Sequence, residues 1–236
     1  MAGDASETGL IKFVQPLLLG GETGCFDEGG LDGIREKYPM MKGVDGVDAI
    51  IPFSSDIKFN LLIRDMNTNV KRATKEEDNS CVFMKGAPER VLSRCNTVLV
   101  DGKMVPKNKH ADEEIESANA RFGGNGERVL AFARKFLDPK IFVKDSGYAF
   151  DVKKWKSWRE VREYDSSVLG WFPMFNLTLV GLVSLNDPPR PRVDTSVLKC
   201  KAAGIKVIMV TGDQPPTAAA IAAKVNIISE PKLEFH

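Results

Sequence analysis

Histidine and closely spaced cysteine, the side chains from which zinc and thiol redox sites are built, are scarce in this chain. The 236 residues contain two histidines, His110 and His236, and four cysteines, at positions 25, 81, 95 and 200. No two of the cysteines have the CxxC spacing of a metal or redox motif. A zinc site is therefore not expected, and free thiols of this number suit the reducing environment of the cytosol.

A surplus of charge of one sign is also lacking. Lysine and arginine number 33 and aspartate and glutamate 32, which leaves a net charge of +1. Binding to nucleic acid relies on clustered basic charge, so we predict no nucleic-acid partner. The apolar fraction of 43% is ordinary for a soluble globular protein and is enough for a core of normal size.

Only one stretch lacks charge for long enough to span a bilayer, residues 166 to 186, SSVLGWFPMFNLTLVGLVSLN. Pro173, Asn176 and Gly181 dilute this stretch, and its apolar density is concentrated in residues 177 to 185. That is the length of a β-strand. We predict a loop followed by a buried strand, with a membrane helix as the alternative.

The residues before position 186 predict strands interspersed with helices. A helix is expected from Asp4, and another in ADEEIESANARFGG, which a glycine pair ends. Strands are expected in AIIPFSSDIKFNLLIRD and SCVFMKG, and a hairpin that turns at Asp101-Gly102 in NTVLVDGKMVP. The periodicity of GERVLAFARKF fits neither a helix nor a strand clearly. The region predicts a mostly antiparallel sheet flanked by helices.

NDPPRPRV, residues 186 to 193, marks a boundary because two consecutive prolines end both helices and strands. Beyond it we expect a helix over residues 192 to 203, a β-branched strand IKVIMV at 205 to 210, a tight TGD turn and a helix TAAAIAAKV. This βαβα order predicts part of a parallel, doubly wound sheet. The chain is thus predicted to be α/β, with one domain over residues 1–185 and part of a second over residues 186–236.

Six motifs spread over residues 3 to 213 follow one another along the chain: GDASE, IPFSSDIKFN, KGAPERVL, GERVLAF, NDPPR and MVTGD. Together and in this order they resemble the P-type cation-transporting ATPases, and most of all the sodium/potassium and proton/potassium pump subgroup. The resemblance implies a nucleotide-binding domain followed by part of a phosphorylation domain of the haloacid-dehalogenase type. It also implies ATP with Mg²⁺ as cofactor, a transported cation, and a multi-pass membrane protein of which this part faces the cytosol.

Two motifs of the family are missing from this sequence. The DKTGT motif, whose aspartate is phosphorylated, would precede residue 1, and the magnesium-binding GDGxNDxP motif would follow residue 236. The chain is therefore expected to be a pump fragment that binds ATP without hydrolysing it. Gln214, Pro215 and Pro216 also depart from the family, whose pumps usually have His-Pro-Ile after TGD.

The resemblance implies a nucleotide site made of Glu7, Phe53, Lys58, Asn60, Lys85, Gly86, Arg128 and Asp187. In the family, the matching phenylalanine stacks on adenine, the lysines line the pocket, the glutamate accepts from the adenine amino group and the arginine reaches the β-phosphate. The bare backbone of Gly86 would let a ligand approach closely, beside the helix start at Ala87-Pro88. The residues alone leave alternatives open, since Phe53 also fits a core position, Glu7 a capping box and Asp187 a turn cap before proline.

Thr211, Gly212 and Asp213 follow the predicted strand IKVIMV, and the resemblance implies that they orient the phosphoryl group in the full-length enzyme. The nucleophilic aspartate is absent from this sequence. Two other functions are alternatives to this one. A self-standing nucleotide-binding regulatory module is the first, and the exposed edge of a half sheet argues against it. A phosphatase of the haloacid-dehalogenase type is the second, but the sequence has neither a DxDxT nor a DxxGT nucleophile motif.

Overall fold

The structure is a computed structural model that describes residues 5–20, 33, 35–36, 38–43, 46–66, 80–138, 151–154, 173–213 and 215–229. The α-helices with defined bounds are α1 (Ala5–Gly20), α2 (Pro88–Leu92), α3 (Lys109–Gly124), α4 (Val193–Ala202) and α5 (Pro215–Lys224). The strands are β1 (Ile50–Ile51), β2 (Phe59–Arg64), β3 (Cys81–Gly86), β4 (Cys95–Val100), β5 (Lys103–Pro106), β6 (Arg128–Phe136) and β7 (Leu177–Leu185). A 3-10 turn covers Val152–Lys154.

The strands named above form one sheet in the order β1-β2-β3-β6-β7-β4-β5. Strands β1 and β2, β2 and β3, β3 and β6, and β4 and β5 pair antiparallel. Strand β4 pairs with β7 in parallel. The predicted α/β fold with a mostly antiparallel sheet flanked by helices is confirmed.

Buried and half-buried side chains alternate along β2, as its sequence predicts. Phe59, Leu61 and Ile63 are buried, while the residues between them are half-buried, so one face of the strand packs into the core. The predicted hairpin between β4 and β5 also forms. Asp101 and Gly102 have φ angles of 48° and 77°, the left-handed pair that a two-residue hairpin turn requires.

The ambiguous segment GERVLAFARKF forms strand β6, because β3 offers it a partner along most of its length. Cys81 lies opposite Phe136, and the pairing continues to Gly86 opposite Ala131. Within the uncharged stretch that could have spanned a bilayer, residues 177–185 form strand β7, preceded by the buried residues Met174 and Phe175. The part of the predicted loop at residues 166–172 lies outside the described residues. None of the helices that the structure describes is both long and apolar enough to cross a membrane.

The chain divides into two compact units. The first combines Met1–Pro106 with Ala131–Gly181, and the second combines Lys107–Leu130 with Leu182–His236. In the first unit the guanidinium carbon of Arg94 lies 4.8 Å from the ring centre of Phe59 and 5.4 Å from that of Phe175. Arg94 thus makes cation–π contacts with both rings. In the second unit α3 packs against α5. The domain limits at residues 185 and 186 stay a prediction.

The helices predicted after residue 186 form, as α4 and α5, but the predicted strand IKVIMV is wrong. Residues 205–210 carry no strand, and Ile205, Ile208 and Val210 are exposed, the last by 93%. A strand exists only where a neighbour takes its N–H and C=O groups. No described strand lies beside this segment, so its strong β-propensity has nothing to pair with.

Candidate nucleotide-binding site

The close approach of β2 to β3 explains why residue 86 is glycine. A Cβ atom added to Gly86 would lie 2.4 Å from the carbonyl oxygen of Lys58 and 2.6 Å from both the Cα and the Cβ of Phe59. Gly86 is itself buried. The bare backbone therefore first serves the packing of two strands, and its predicted contact with a ligand stays a prediction.

Lys58 ends the loop that leads into β2, in the left-handed conformation, with a φ of 56°. Its N–H donates to Ser54 O at 2.8 Å, and its carbonyl accepts from the N–H of Ala87 at 2.9 Å. These bonds hold the loop against the start of α2. They also use the Ala87 N–H, and Pro88 has none, so the helix start offers fewer free donors than the motif KGAP indicates.

Phe53 lies at the beginning of the same loop. Its side chain is 64% exposed, so the alternative that Phe53 is a core residue is wrong. The ring is therefore available for stacking, as the adenine role requires.

Lys85 and Glu7 form an ion pair that no sequence pattern predicted. The Nζ of Lys85 donates to Oε1 of Glu7, in the first turn of α1. Asn60 lies directly opposite Lys85 in the β2–β3 ladder, which places both side chains on one face of the sheet. Asp4, the other member of the proposed capping box, lies outside the described residues. Three predicted site residues, Glu7, Asn60 and Lys85, are thus brought together in the first unit.

Arg128 and Asp213 form a second cluster, in the second unit. Asp213 Oδ1 accepts from Arg128 Nε at 3.2 Å and from its terminal nitrogen at 2.8 Å. Asp213 Oδ2 accepts from the Thr211 hydroxyl at 3.1 Å, and that hydroxyl accepts from the Asp213 N–H at 3.1 Å. Both carboxylate oxygens are engaged, so the loop is held in one shape around Asp213 while Arg128 stays half-exposed.

The two predicted residues not yet placed, Asp187 and Gly212, are exposed. Asp187 lies in the irregular stretch after β7, and Gly212 lies in the loop between Thr211 and Asp213. Among the residues that the structure describes, no three histidine, cysteine, aspartate or glutamate side chains converge as a metal site would require. Mg²⁺ prefers several oxygen ligands, so these residues do not by themselves form a site that fits it.

The titratable groups with shifted pKa values lie at the end of β3 that is remote from Lys85. Burial raises the pKa of the Cys81 thiol from 9.0 to about 12. Burial lowers the pKa of the neighbouring Lys135, whose Nζ donates to the carbonyl oxygen of Phe175 at 3.1 Å. These groups belong to the structural core rather than to a reactive centre, and Cys81, Cys95 and Cys200 are free thiols.

Comparison with known proteins gives one family and several relatives. The family model described as "P-type ATPase, cytoplasmic domain N" matches residues 1–192. The sodium/potassium-transporting ATPase subunit alpha-1 of Oreochromis mossambicus is 41% identical over 230 residues, which are 98% of this chain and 19% of that protein. The potassium-transporting ATPase alpha chain 2 of Rattus norvegicus is 39% identical over 231 residues, 97% of this chain and 18% of that protein. The chain spans about a fifth of the length of these curated relatives.

Proposed function

The chain belongs to the P-type ATPase family, and from this membership we propose that it is the ATP-binding part of a cation-transporting pump. The first 192 residues match the cytoplasmic N domain of that family. Sodium and potassium are named only for the relatives, so the proposal specifies a cation but not which one.

The exposed ring of Phe53 is the observation that carries the proposal. One short loop joins Phe53 to Lys58 and then to Asn60, which lies opposite Lys85. Adenine needs a flat apolar surface, and phosphates need nearby cations such as lysines. We assign Phe53 to adenine stacking and Lys58 and Lys85 to the phosphates, with Gly86 at the rim.

The ion pair between Glu7 and Lys85 adds a competition to this proposal. The Glu7 carboxylate already accepts a hydrogen bond from Lys85 Nζ, so a phosphate that binds Lys85 has to displace this carboxylate. Glu7, once released, is free to accept from the adenine amino group, which is the role assigned to it. Binding by the chain alone is therefore expected to be weak, with a dissociation constant of about 0.1–1 mM, or about −4 to −5.5 kcal/mol.

In the whole protein we propose that the γ-phosphoryl group passes from ATP to an aspartate carboxylate, ADP leaves, and water later hydrolyses the acyl phosphate. Arg128 and Asp187 would contact the nucleotide. The Thr211 hydroxyl and the Gly212 N–H would hold the phosphoryl group, and Asp213 would support their loop. Mg²⁺ would supply charge neutralisation on the phosphates. The sequence of 236 residues lacks the DKTGT aspartate, so we propose that it binds ATP but releases no phosphate.

The experiment is a calorimetric titration of the 236-residue chain with ATP. Phe53→Ala should raise the dissociation constant at least about fivefold, the loss of one base–aromatic stack. Lys85→Ala should also weaken binding, because it removes a phosphate partner. A colorimetric phosphate assay on the same samples should show no turnover.

Two matched variants make the titration specific. Phe13 on α1 is 63% exposed, nearly the same as Phe53, so Phe13→Ala removes an equally exposed ring from another place. Lys42 pairs with Asp48 at 2.5 Å, so Lys42→Ala breaks an ion pair elsewhere. Both should bind ATP as the parent does. Loss of affinity in all four variants, or in none, would overturn the site assignment.

A further inference from the structure

A turn ties α3 to α5 immediately before Arg128, and its hydrogen bonds are divided between the two helices. The N–H groups of Asn125, Gly126 and Glu127 all donate back to carbonyls near the end of α3. Their carbonyls face the other way: Asn125 O accepts from Lys224 Nζ, and Glu127 O accepts from the Thr217 hydroxyl at 3.3 Å. The turn is therefore held on both sides.

Gly126 shows how tightly this turn lies on α5. Its φ is 80°, a conformation that L side chains rarely adopt. A Cβ atom at Gly126 would also lie 3.3 Å from Ile221 Cγ1 and 3.3 Å from Lys224 Nζ. Both neighbours belong to α5 and would have to shift by a few tenths of an ångström, so the positive φ and the close approach together favour glycine.

Helix α5 and the nearby Asp213 contact Glu127, the residue before Arg128, and the side chain of Arg128 itself. Thr217 is buried in the first turns of α5, and Asp213, the partner of Arg128, precedes the helix by two residues. The backbone just before Arg128 and the guanidinium of Arg128 are thus fixed by one short stretch of chain. Because the Thr217 hydroxyl is buried and bonded to Glu127 O, removing it would cost the turn a hydrogen bond.

We propose that Thr217, assisted by Lys224, is a positioning residue that sets where Arg128 can reach. It does so by holding the carbonyls of the turn while Asp213 holds the guanidinium. The inference rests on the proposed function in one respect, that Arg128 contacts a nucleotide phosphate. A substrate phosphate then meets an arginine that is already oriented, which lowers the entropy cost of the contact.

The first arm of the test needs no nucleotide. The Nε–H of Arg128 is followed by ¹H–¹⁵N NMR in the 236-residue chain, and its signal is assigned by its loss in Arg128→Lys. Thr217→Val keeps the shape of the side chain and removes the hydroxyl. It should speed exchange of this proton with water about three- to tenfold, the equivalent of one net hydrogen bond. Thr217→Ser, which restores the hydroxyl, should exchange at the parental rate.

The second arm measures ATP affinity in a double-mutant cycle. Thr217→Val should weaken ATP binding about three- to tenfold in the parent and leave it unchanged in an Arg128→Ala background, because its effect passes through Arg128. A parent that binds no ATP would overturn the proposed function only, since the exchange rates of the first arm still decide whether the turn positions Arg128.

Two further variants keep the test decisive. Thr195→Val on α4 removes an exposed hydroxyl from the other helix after residue 186 and should change neither the exchange rate nor the affinity. Lys224→Met removes the second donor from an exposed position, and should speed exchange even if Thr217→Val does not fold. An Arg128 Nε–H that exchanges at the parental rate in Lys224→Met and in any folded Thr217→Val sample would overturn the proposal.

Discussion

Replacement of Gly86 by alanine tests the packing of β2 on β3 directly. Carbon atoms in contact rest about 3.5–4.0 Å apart, whereas the new methyl group would lie 2.6 Å from two carbons of Phe59 and 2.4 Å from an oxygen. These neighbours are backbone atoms and the Cβ of a buried residue, so no side-chain rotation relieves the overlap. The two strands have to separate at this end.

The cost of that separation follows from what it breaks. The hydrogen bond from Ala87 N–H to Lys58 O, 2.9 Å long, and the ladder bond beside Phe59 would both be stretched. At about 1 kcal/mol for each bond, with about 1–2 kcal/mol for disturbed packing around Phe59, we expect a loss of about 3 kcal/mol. Native-state hydrogen exchange should show the loss as faster exchange of the β2 and β3 amides.

Gly181 is the matched control, because it is also a strand glycine but an added Cβ would meet no atom within 4 Å. Gly181→Ala should change the free energy of unfolding by less than about 0.5 kcal/mol, as an unstrained surface substitution does. Urea unfolding, followed by circular dichroism, compares the two variants with the parent. A Gly86→Ala protein as stable as Gly181→Ala would refute the reasoning, since β2 would then not approach β3 this closely.

Two further predictions concern alkaline stability and the hairpin turn. The folded Cys81 thiol has a pKa of about 12 against 9.0 when unfolded, so its contribution to stability is complete below pH 9 and is lost as the pH rises toward 12. Above pH 9 the parent's free energy of unfolding should fall more steeply than that of Cys81→Ala, by up to about 1.4 kcal/mol per pH unit, and equal slopes in urea titrations would contradict this. At the turn, Asp101 has a φ of 48°; Asp101→Val should lower stability by about 1–2 kcal/mol while Asp101→Gly does not, because a branched side chain fits the left-handed region badly. Similar melting temperatures for these two variants would count against that account.

Local sequence patterns predicted most of the sheet because their signals are carried by neighbouring residues. The alternation at Phe59, Leu61 and Ile63 sets the buried face of β2 whatever strand lies beside it. Asp101-Gly102 likewise fixes a hairpin by its own backbone preferences. The segment that forms β6 was ambiguous because its structure depends on pairing with β3, which is distant in sequence. Even the pair closest in sequence, Gly86 and Ala131, is 45 positions apart (131 − 86).

The failures share a physical cause, which is that a long-range partner decides the outcome. Residues 205–210 have strong β-propensity and still form no strand, because propensity does not supply a hydrogen-bonding neighbour. The pairs Lys85–Glu7 and Arg128–Asp213 join residues 78 and 85 positions apart, and no spacing rule links them. Family motifs named all four residues as site members without indicating that they bind one another.

The parallel pairing of β4 with β7 bears on how this chain folds. Thr97 and Thr178 meet across that pair at 2.8 Å although 81 positions separate them, whereas Arg64 and Cys81 at the end of β2 and β3 are 17 apart (81 − 64). Closing the longer loop costs about 1.4 kcal/mol more in chain entropy, at about 0.6 kcal/mol per doubling of length. We therefore expect the β4–β5 hairpin to form from local contacts before β4 pairs with β7. Until that pairing forms, one edge of β4 would be unpaired in solution.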